Sequence, residues 1–402
     1  MKNENAWIEI QYDHLKHNVL EIKKLLPKKT TFMAVVKANA YGHGMIQVAT
    51  YLNTIGITSF GVARLEEAVE LRKAGIEGEI LVLGYTSPDQ CQVLYDYDIM
   101  QTVVDVEHGK ALEEMNIPIK VHIKIDTGMH RLGIDFHQME ELVAIFQYRF
   151  LCVEGVYTHL CVCDSQQQDD VDFTNQQIDV FYQVIESLKV QQIEVPKIHI
   201  QSSYGVLNYP HLSCDYARIG IAMYGILSTD DHRTIRKANL KPVLSIKAKI
   251  ISIRTVPAGE TIGYGRTYVC HNETQVAVIP VGYADGIPRN FGTQGGYVFI
   301  RGQKVPIVGR ICMDQMTIDI SQYDVKIGDT VTVIGHKKDS ISVENIATMC
   351  DTITNEVLSR LNNRLPRIDI KAKKIYQTKE SSNSGEAILE GVVERLKVRM
   401  PV

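Results

Sequence analysis

From the start of the chain to about Thr229, short apolar runs of strand length alternate with amphipathic stretches of helical period. Phe32 to Val36, Ser59 to Ala63, the I-L-V-L-G run ending at Gly84, Gln101 to Val104, Lys120 to Asp126, Cys152 to His159 and Lys197 to Gln201 read as strands. Between them, Met45 to Ile55 sets Val48, Leu52 and Ile55 on one helical face, and Leu65 to Ala74 is amphipathic. Ser87-Pro88 reads as a helix N-cap followed by proline at the first helical position. Repeated βα units of this kind predict an α/β fold with a closed (β/α)8 TIM barrel. A doubly wound sheet fits less well, because no G-x-G-x-x-G opens the first helix.

After about Lys237 the texture changes. Pro242 to Val256, Gln275 to Gly282, Tyr297 to Ile300, Val305 to Ile320 and Thr330 to Gly335 are strand-like and separated by Gly, Pro and Asp turns. Ser342 to Leu361 reads as one returning helix. The pattern therefore predicts a barrel over residues 1–236, a mostly-β domain over 237–371 and a polar tail over 372–402, with a short amphipathic helix at Glu386 to Val398. Gln166 to Asp170 reads as a solvated loop.

Composition narrows the classes. With 402 residues, 45% hydrophobic and 22% charged, the chain is long enough for a large core in more than one domain. A net charge of -4 gives no electrostatic reason to expect nucleic acid or an anionic membrane. The eight cysteines lack zinc-site spacing, Cys161 and Cys163 being C-x-C, so no metal is expected and reduced thiols in the cytoplasm are the simpler reading. The first ten residues hold no apolar signal core, and no run approaches the roughly 18 apolar residues of a membrane span.

The chemistry centres on Lys37, which follows a buried strand and precedes Asn39, Gly42 and Gly44. Partial desolvation there would lower its pKa and make it a nucleophile or base. A lysine at a strand end is more often a snorkelling surface residue; its neighbours set this one apart. The phrase A-V-V-K-A-N-A-Y-G-H-G, with Tyr41 four residues on, resembles the pyridoxal-phosphate signature of the alanine racemase family. The resemblance runs to about Arg367 and implies pyridoxal 5'-phosphate carried on Lys37. It extends to T-H-L (Thr158, His159), Q-S-S (Gln201 to Ser203) and Arg218 to Gly225. By that resemblance Arg218 faces the pyridine nitrogen, Tyr41, Ser202, Gly220 and Ile221 hold the phosphate, and His159 lies under the ring and bonds to Arg218. A permanently charged guanidinium disfavours protonation of the ring nitrogen, which weakens the ring as an electron sink and favours returning a proton to Cα.

Racemisation requires proton exchange on both faces of Cα. The stretch Ile262 to Tyr268 resembles the family's second-base motif, which makes Tyr264, reaching over from another subunit, the partner of Lys37. Lys124 to Gly133 resembles K-x-D-T-G-M-G-R-x-G, which implies that Arg131 meets the substrate carboxylate beside a carbamylated Lys124. His130 stands where the family has glycine, so a positive φ there would be strained. Arg310 to Gln315 resembles the motif whose Met313 and Asp314 help build the substrate site, and a head-to-tail homodimer follows, with Tyr264 and Met313 crossing the interface.

Near the end, Asn363 takes the place of a tyrosine common before R-V-P-R. A short amide opens volume and offers hydrogen bonds to a β-hydroxyl, so serine joins alanine as an expected substrate. In this the chain resembles the racemase portion of the membrane-bound serine racemases of vancomycin-resistance clusters. The resemblance thus implies a racemase supplying D-amino acids for cell-wall precursors, in the cytoplasm or at its membrane face. A dedicated alanine racemase is the alternative. A barrel decarboxylase would place a glutamate where Arg218 stands, and a non-catalytic pyridoxal-phosphate carrier would lack the β domain.

Overall fold

The computed structural model describes residues 5–228, 233–335, 340–371 and 375–376. Strand β1 (Ala6–Ile10) opens the chain, and then come β2 (Thr31–Val35), β3 (Ser59–Val62), β4 (Glu79–Val82), β5 (Met100–Val103) and β6 (Ile119–Asp126). A two-residue β7 (Ile134–Asp135) pairs with the end of β6, and β8 (Leu151–Tyr157), β9 (Ile198–His199) and β10 (Tyr216–Ile219) follow. Strands β2 to β6 and β8 to β10 run parallel in that order, and β10 pairs back onto β2. The seam between β9 and β10 is stitched by Asp215 N–H to Ile198 O at 2.9 Å and Arg218 N–H to Gln201 O at 3.0 Å. This is a nearly closed eight-stranded α/β barrel, as the alternating pattern predicts. Every residue of β3, β5 and β10 is buried, as befits strands covered by helices on one side and barrel interior on the other.

The second domain is mostly β. A seven-stranded sheet runs Gln303–Pro306, Tyr297–Ile300, Thr330–Ile334, β11 (Leu244–Lys249), β1, Arg367–Asp369 and Ile375–Tyr376. A three-stranded sheet joins Ser252–Val256, Thr274–Ile279 and Met316–Asp319. Strand β1 lies inside the 1–236 span read as barrel, yet it pairs antiparallel with β11 and parallel with Arg367–Asp369. Both ends of the described chain are thereby fastened into one sheet.

Several local expectations change. The run Pro242 to Val256 is two strands in different sheets, divided at Ile250-Ile251. Val305 to Ile320 is likewise divided: the strands Gln303–Pro306 and Met316–Asp319 flank the loop that carries Met313 and Asp314. The single helix over Ser342 to Leu361 is two, Val343–Met349 and Thr354–Ser359, because Asp351 adopts φ 54 and breaks the helical path. Ser87 makes no side-chain cap, although Pro88 does open a 3-10 turn. Gln166 and Gln167 are an exposed loop, but Gln168 already begins a 23-residue helix ending at Val190. Of the 372–402 tail only Ile375–Tyr376 is described, as the edge strand of the seven-stranded sheet, and the helix at Glu386 to Val398 lies outside the described residues.

The two domains meet behind the mouth of the barrel. Arg367, buried, donates to the carbonyl of Gly42 through Nε and Nη2 at 3.2 and 2.9 Å, and also to the carbonyls of Asn362, Leu365 and Leu361. Thr354, at the start of the last helix, donates from its hydroxyl to Leu227 O at 2.8 Å and from its N–H to Ser228 O at 3.2 Å. Gly42 (φ 77) is required here, because a Cβ would lie 2.4 Å from Leu358 O. Arg367→Leu leaves the buried carbonyls of Gly42, Leu361 and Leu365 without this donor and is expected to cost about 3 kcal/mol or more. A lowered urea midpoint for the whole chain checks this; an unchanged midpoint would show that the guanidinium is dispensable.

Candidate active site

Where β2 ends, the backbone turns the wrong way for L-residues. Ala38, Asn39, Ala40 and Tyr41 have φ of 53, 53, 54 and 50°, a left-handed turn of four non-glycine residues. Each costs on the order of 1–2 kcal/mol. Glu67, in the first turn of the helix Leu65–Lys73, accepts the Ala38 N–H at 2.7 Å through one carboxylate oxygen and the Ala63 N–H at 2.7 Å through the other. Out of this turn Lys37 and Tyr41 both line a cavity of about 570 Å³ at the carboxyl ends of the barrel strands.

Arg218, Lys124, Arg131, His159 and Ser202 line the same cavity. Arg218 lies within β10 and is almost fully buried. One terminal nitrogen donates to His199 Nδ1 at 2.7 Å and His199 O at 3.1 Å. The other reaches Thr158 O at 2.7 Å, Ile200 O at 3.1 Å and His159 Nδ1 at 3.4 Å. The guanidinium also sits 4.9 Å from the centroid of the Tyr157 ring, on which His199 stacks at 4.5 Å. An arginine can only donate, so His199 Nδ1 and His159 Nδ1 both accept and each imidazole carries its hydrogen on Nε2.

Positive charge crowds the cavity. Burial first, then the charge of Arg131, holds the Lys37 ammonium below the ordinary lysine value. Lys124, 4% exposed, is pushed down to about 8 by burial and then by Arg131 and Arg218. His159 falls well below its usual value, mainly through burial and then Arg218, so it is neutral. The loop that presents Arg131 is tied by Asp126, whose carboxylate accepts the N–H groups of Gly128, Met129 and His130 at 3.0 Å each. His130 has φ 53, the strained conformation expected of it.

These residues fit pyridoxal 5'-phosphate. The Tyr41 hydroxyl lies so close against Gly220 that a Cβ there would sit 2.7 Å from it, so the cradle is shaped by the absence of a side chain. Ser203, which the sequence reading passed over, accepts the Gly220 and Ala222 N–H groups at 3.2 and 3.4 Å and holds this loop. Among the described residues the hydrogen-bonding neighbour of Ser202 Oγ is the Cys163 sulfur, 3.8 Å away, so the hydroxyl could take a phosphate oxygen. Ile221 lines the cavity beside them. Lys37, Tyr41, Ser202 and Arg218 are the residues that would hold the cofactor there.

The β-domain candidates stand elsewhere. Tyr264, between Gly263 (φ 76) and Gly265 (φ 73), is 67% exposed and outside its own chain's cavity. Met313 is 52% exposed, and Asp314 accepts from Arg364 Nη2 at 2.7 Å. The Tyr264 turn and the Met313 loop adjoin, for a Cβ on Gly265 would lie 2.9 Å from Arg310 Nη1. Asn363 Oδ1 accepts from Asn39 Nδ2 at 2.9 Å. Sequence reasoning also missed His199, Tyr157 and Glu67. For His199 a signal existed, since polar residues alternate with isoleucines in I-H-I-Q and so share one face of a strand.

Comparison with known proteins converges on one family. The family model for the alanine racemase N-terminal domain matches residues 10–228, and that for the alanine racemase C-terminal domain matches 243–369. An amino-acid racemase of Enterococcus faecalis is 41% identical over 90% of this chain and 51% of its own length. A serine/alanine racemase of Enterococcus gallinarum is 40% identical over 89% of this chain and 50% of its own. The chain thus spans about half the length of these relatives. The solved alanine racemase of Clostridium difficile 630 superposes with a TM-score of 0.86 at 31% identity, covering 94% of this chain and 99% of that one. Barrel, β domain and cavity together with these matches place the chain in the alanine racemase family of pyridoxal 5'-phosphate-dependent isomerases.

Proposed function

We propose that the protein interconverts the L- and D-forms of a small amino acid, serine and alanine, with Lys37 as one base and Tyr264 of a second copy of the chain as the other. The convergence of Lys37, Arg131 and Arg218 on one cavity carries this reading. When bound, the cofactor withdraws electrons from Cα and makes its proton removable. Lys37, already depressed in pKa, takes or returns that proton on one face. Arg131 binds the substrate carboxylate, and Arg218 keeps the pyridine nitrogen unprotonated. Tyr41, Ser202, Gly220 and Ile221 hold the phosphate.

Tyr264 and Met313 stand exposed on adjoining loops, which suits a head-to-tail homodimer in which each chain completes the other's cavity with Tyr264, Met313 and Asp314. His159 then matters, because with Nδ1 facing Arg218 its Nε2–H is a donor for the phenolic oxygen of an incoming tyrosine. Lys124, with its pKa lowered to about 8, has enough neutral amine to add carbon dioxide, and the resulting carbamate would steady Arg131.

Asn363 bears on specificity. The Met45 N–H donates to Asn39 Oδ1 at 2.8 Å, which fixes that amide and turns Asn39 Nδ2 toward Asn363 Oδ1. Asn363 Nδ2 is left as the donor for a β-hydroxyl. The serine/alanine racemase relative supports serine, and the likeness to an alanine racemase structure supports alanine as the alternative. The product would serve as a cell-wall precursor made in the cytoplasm; among the described residues no helix is long and apolar enough to cross a membrane.

Asn363→Tyr is expected to lower kcat/KM for L-serine by at least about tenfold while L-alanine changes little. Equal losses for both, read from polarimetry of the purified enzyme, would remove Asn363 from specificity. The rate at which apoprotein captures pyridoxal 5'-phosphate should rise with pH about a midpoint below the ordinary lysine value of about 10.4. Arg131→Ala, by removing a positive charge, should move that midpoint upward. A midpoint that stays put in the variant would contradict the electrostatic account.

A further inference from the structure

His43, the histidine of A-Y-G-H-G, lines no part of the cavity and is fully buried. Its Nδ1 lies 3.0 Å from Ala40 O and 2.9 Å from Tyr41 O. Both partners are carbonyl oxygens, so Nδ1 carries the hydrogen and donates to the two together. Burial holds the imidazole down to about 4, which leaves it neutral with this one tautomer fixed. The ring stacks on Tyr224 with centroids 4.4 Å apart, and Tyr224 in turn packs at 5.1 Å against Tyr41. The Tyr224 hydroxyl donates to Val35 O at 3.0 Å, and Arg367 holds Gly42 O. The carbonyls of Val35, Ala40, Tyr41 and Gly42, which bracket Lys37 and run through the left-handed turn, are thus each held by a side chain from outside the turn itself. A turn of four left-handed L-residues persists only when its surroundings over-determine it.

We propose that His43 is a positioning residue for the cofactor site. By donating to the Ala40 and Tyr41 carbonyls it locks the left-handed turn, and the turn aims the Lys37 amine and the Tyr41 hydroxyl into one cavity. This rests on the reading of Lys37 and Tyr41 as cofactor ligands. Without the donor, the Tyr41 carbonyl loses its partner and the Ala40 carbonyl keeps only backbone N–H groups, among them that of His43 at 3.0 Å, and the turn is free to relax toward ordinary helical φ. Tyr41 then leaves Gly220, and the grip on the phosphate goes first.

Two variants separate the donor from the ring. His43→Phe keeps an aromatic disc against Tyr224 but cannot donate; His43→Asn places Nδ2 the same number of bonds from Cβ as Nδ1 and retains the donor. The measurements are the Kd of pyridoxal 5'-phosphate and of unphosphorylated pyridoxal, titrated through the visible band of the lysine-bound cofactor, with the melting temperature of each apoprotein alongside. His43→Phe should weaken pyridoxal 5'-phosphate by at least about tenfold, the factor carried by one ordinary hydrogen bond, and His43→Asn by no more than about threefold. The loss should be smaller for pyridoxal, which has no phosphate for Tyr41 to hold. A folded His43→Phe protein with the wild-type Kd and band overturns the proposal, whatever its melting temperature. Should His43→Phe not fold, 15N-histidine labelling of the wild-type enzyme decides: a hydrogen on Nδ1 sustains the clamp and one on Nε2 refutes it. Wild-type protein that forms no lysine-bound band would instead sink the cofactor reading itself, and the role of His43 with it.

Discussion

The left-handed turn from Ala38 to Tyr41 is the constraint on which the rest depends. A strand that ended in an ordinary helix would send successive side chains around a right-handed cylinder. Here four residues of opposite hand follow the lysine, and both Lys37 and Tyr41 line the same cavity. Holding that geometry draws in both domains. Glu67 comes from the barrel's own helix, whereas Arg367 opens a strand of the seven-stranded sheet and Leu358, packed on Gly42, belongs to the helix Thr354–Ser359. The second domain is therefore part of what shapes the first domain's site.

Electrostatics complete what the backbone begins. Two lysines and two arginines face a single cavity against one carboxylate, Asp164, so the site is cationic and suited to a phosphate and a carboxylate together. Burial first, and then this crowding of positive charge, lowers the pKa of both lysines, which keeps Lys37 usable as a base. Arg218 is the anchor of this set. It is buried, stacked on Tyr157 and bonded to three backbone carbonyls and two imidazoles, and it fixes the tautomer of each histidine it touches. A lysine at this position would lack the planar fork that makes these contacts together.

Much of this was legible in the residue pattern, and the failures have physical causes. Buried parallel strands announce themselves as apolar runs, so most of the barrel could be read; β10 escaped because Arg218 interrupts a run of only four residues. Strand β1 shows alternation in A-W-I-E-I, but nothing local reveals partners at Leu244–Lys249 and Arg367–Asp369. The breaks at Ile250-Ile251 and Asp351 carry neither glycine nor proline, so the strand and helix they divide read as continuous. In the site, Lys37 and Arg218 were found through phrases of sequence, whereas Ser203, Glu67 and His199 act on backbone or side chains brought near only by folding.

The central claim is that Cα exchanges its proton with two different groups on opposite faces. The most direct test is to incubate the holoenzyme with an L-amino acid substrate in deuterium oxide, stop at low conversion, and weigh both enantiomers by mass spectrometry. The account predicts that the D-product carries deuterium at Cα while the recovered L-substrate retains its hydrogen. A D-product that keeps the original Cα hydrogen would mean that one group serves both faces, and the two-base account would fall.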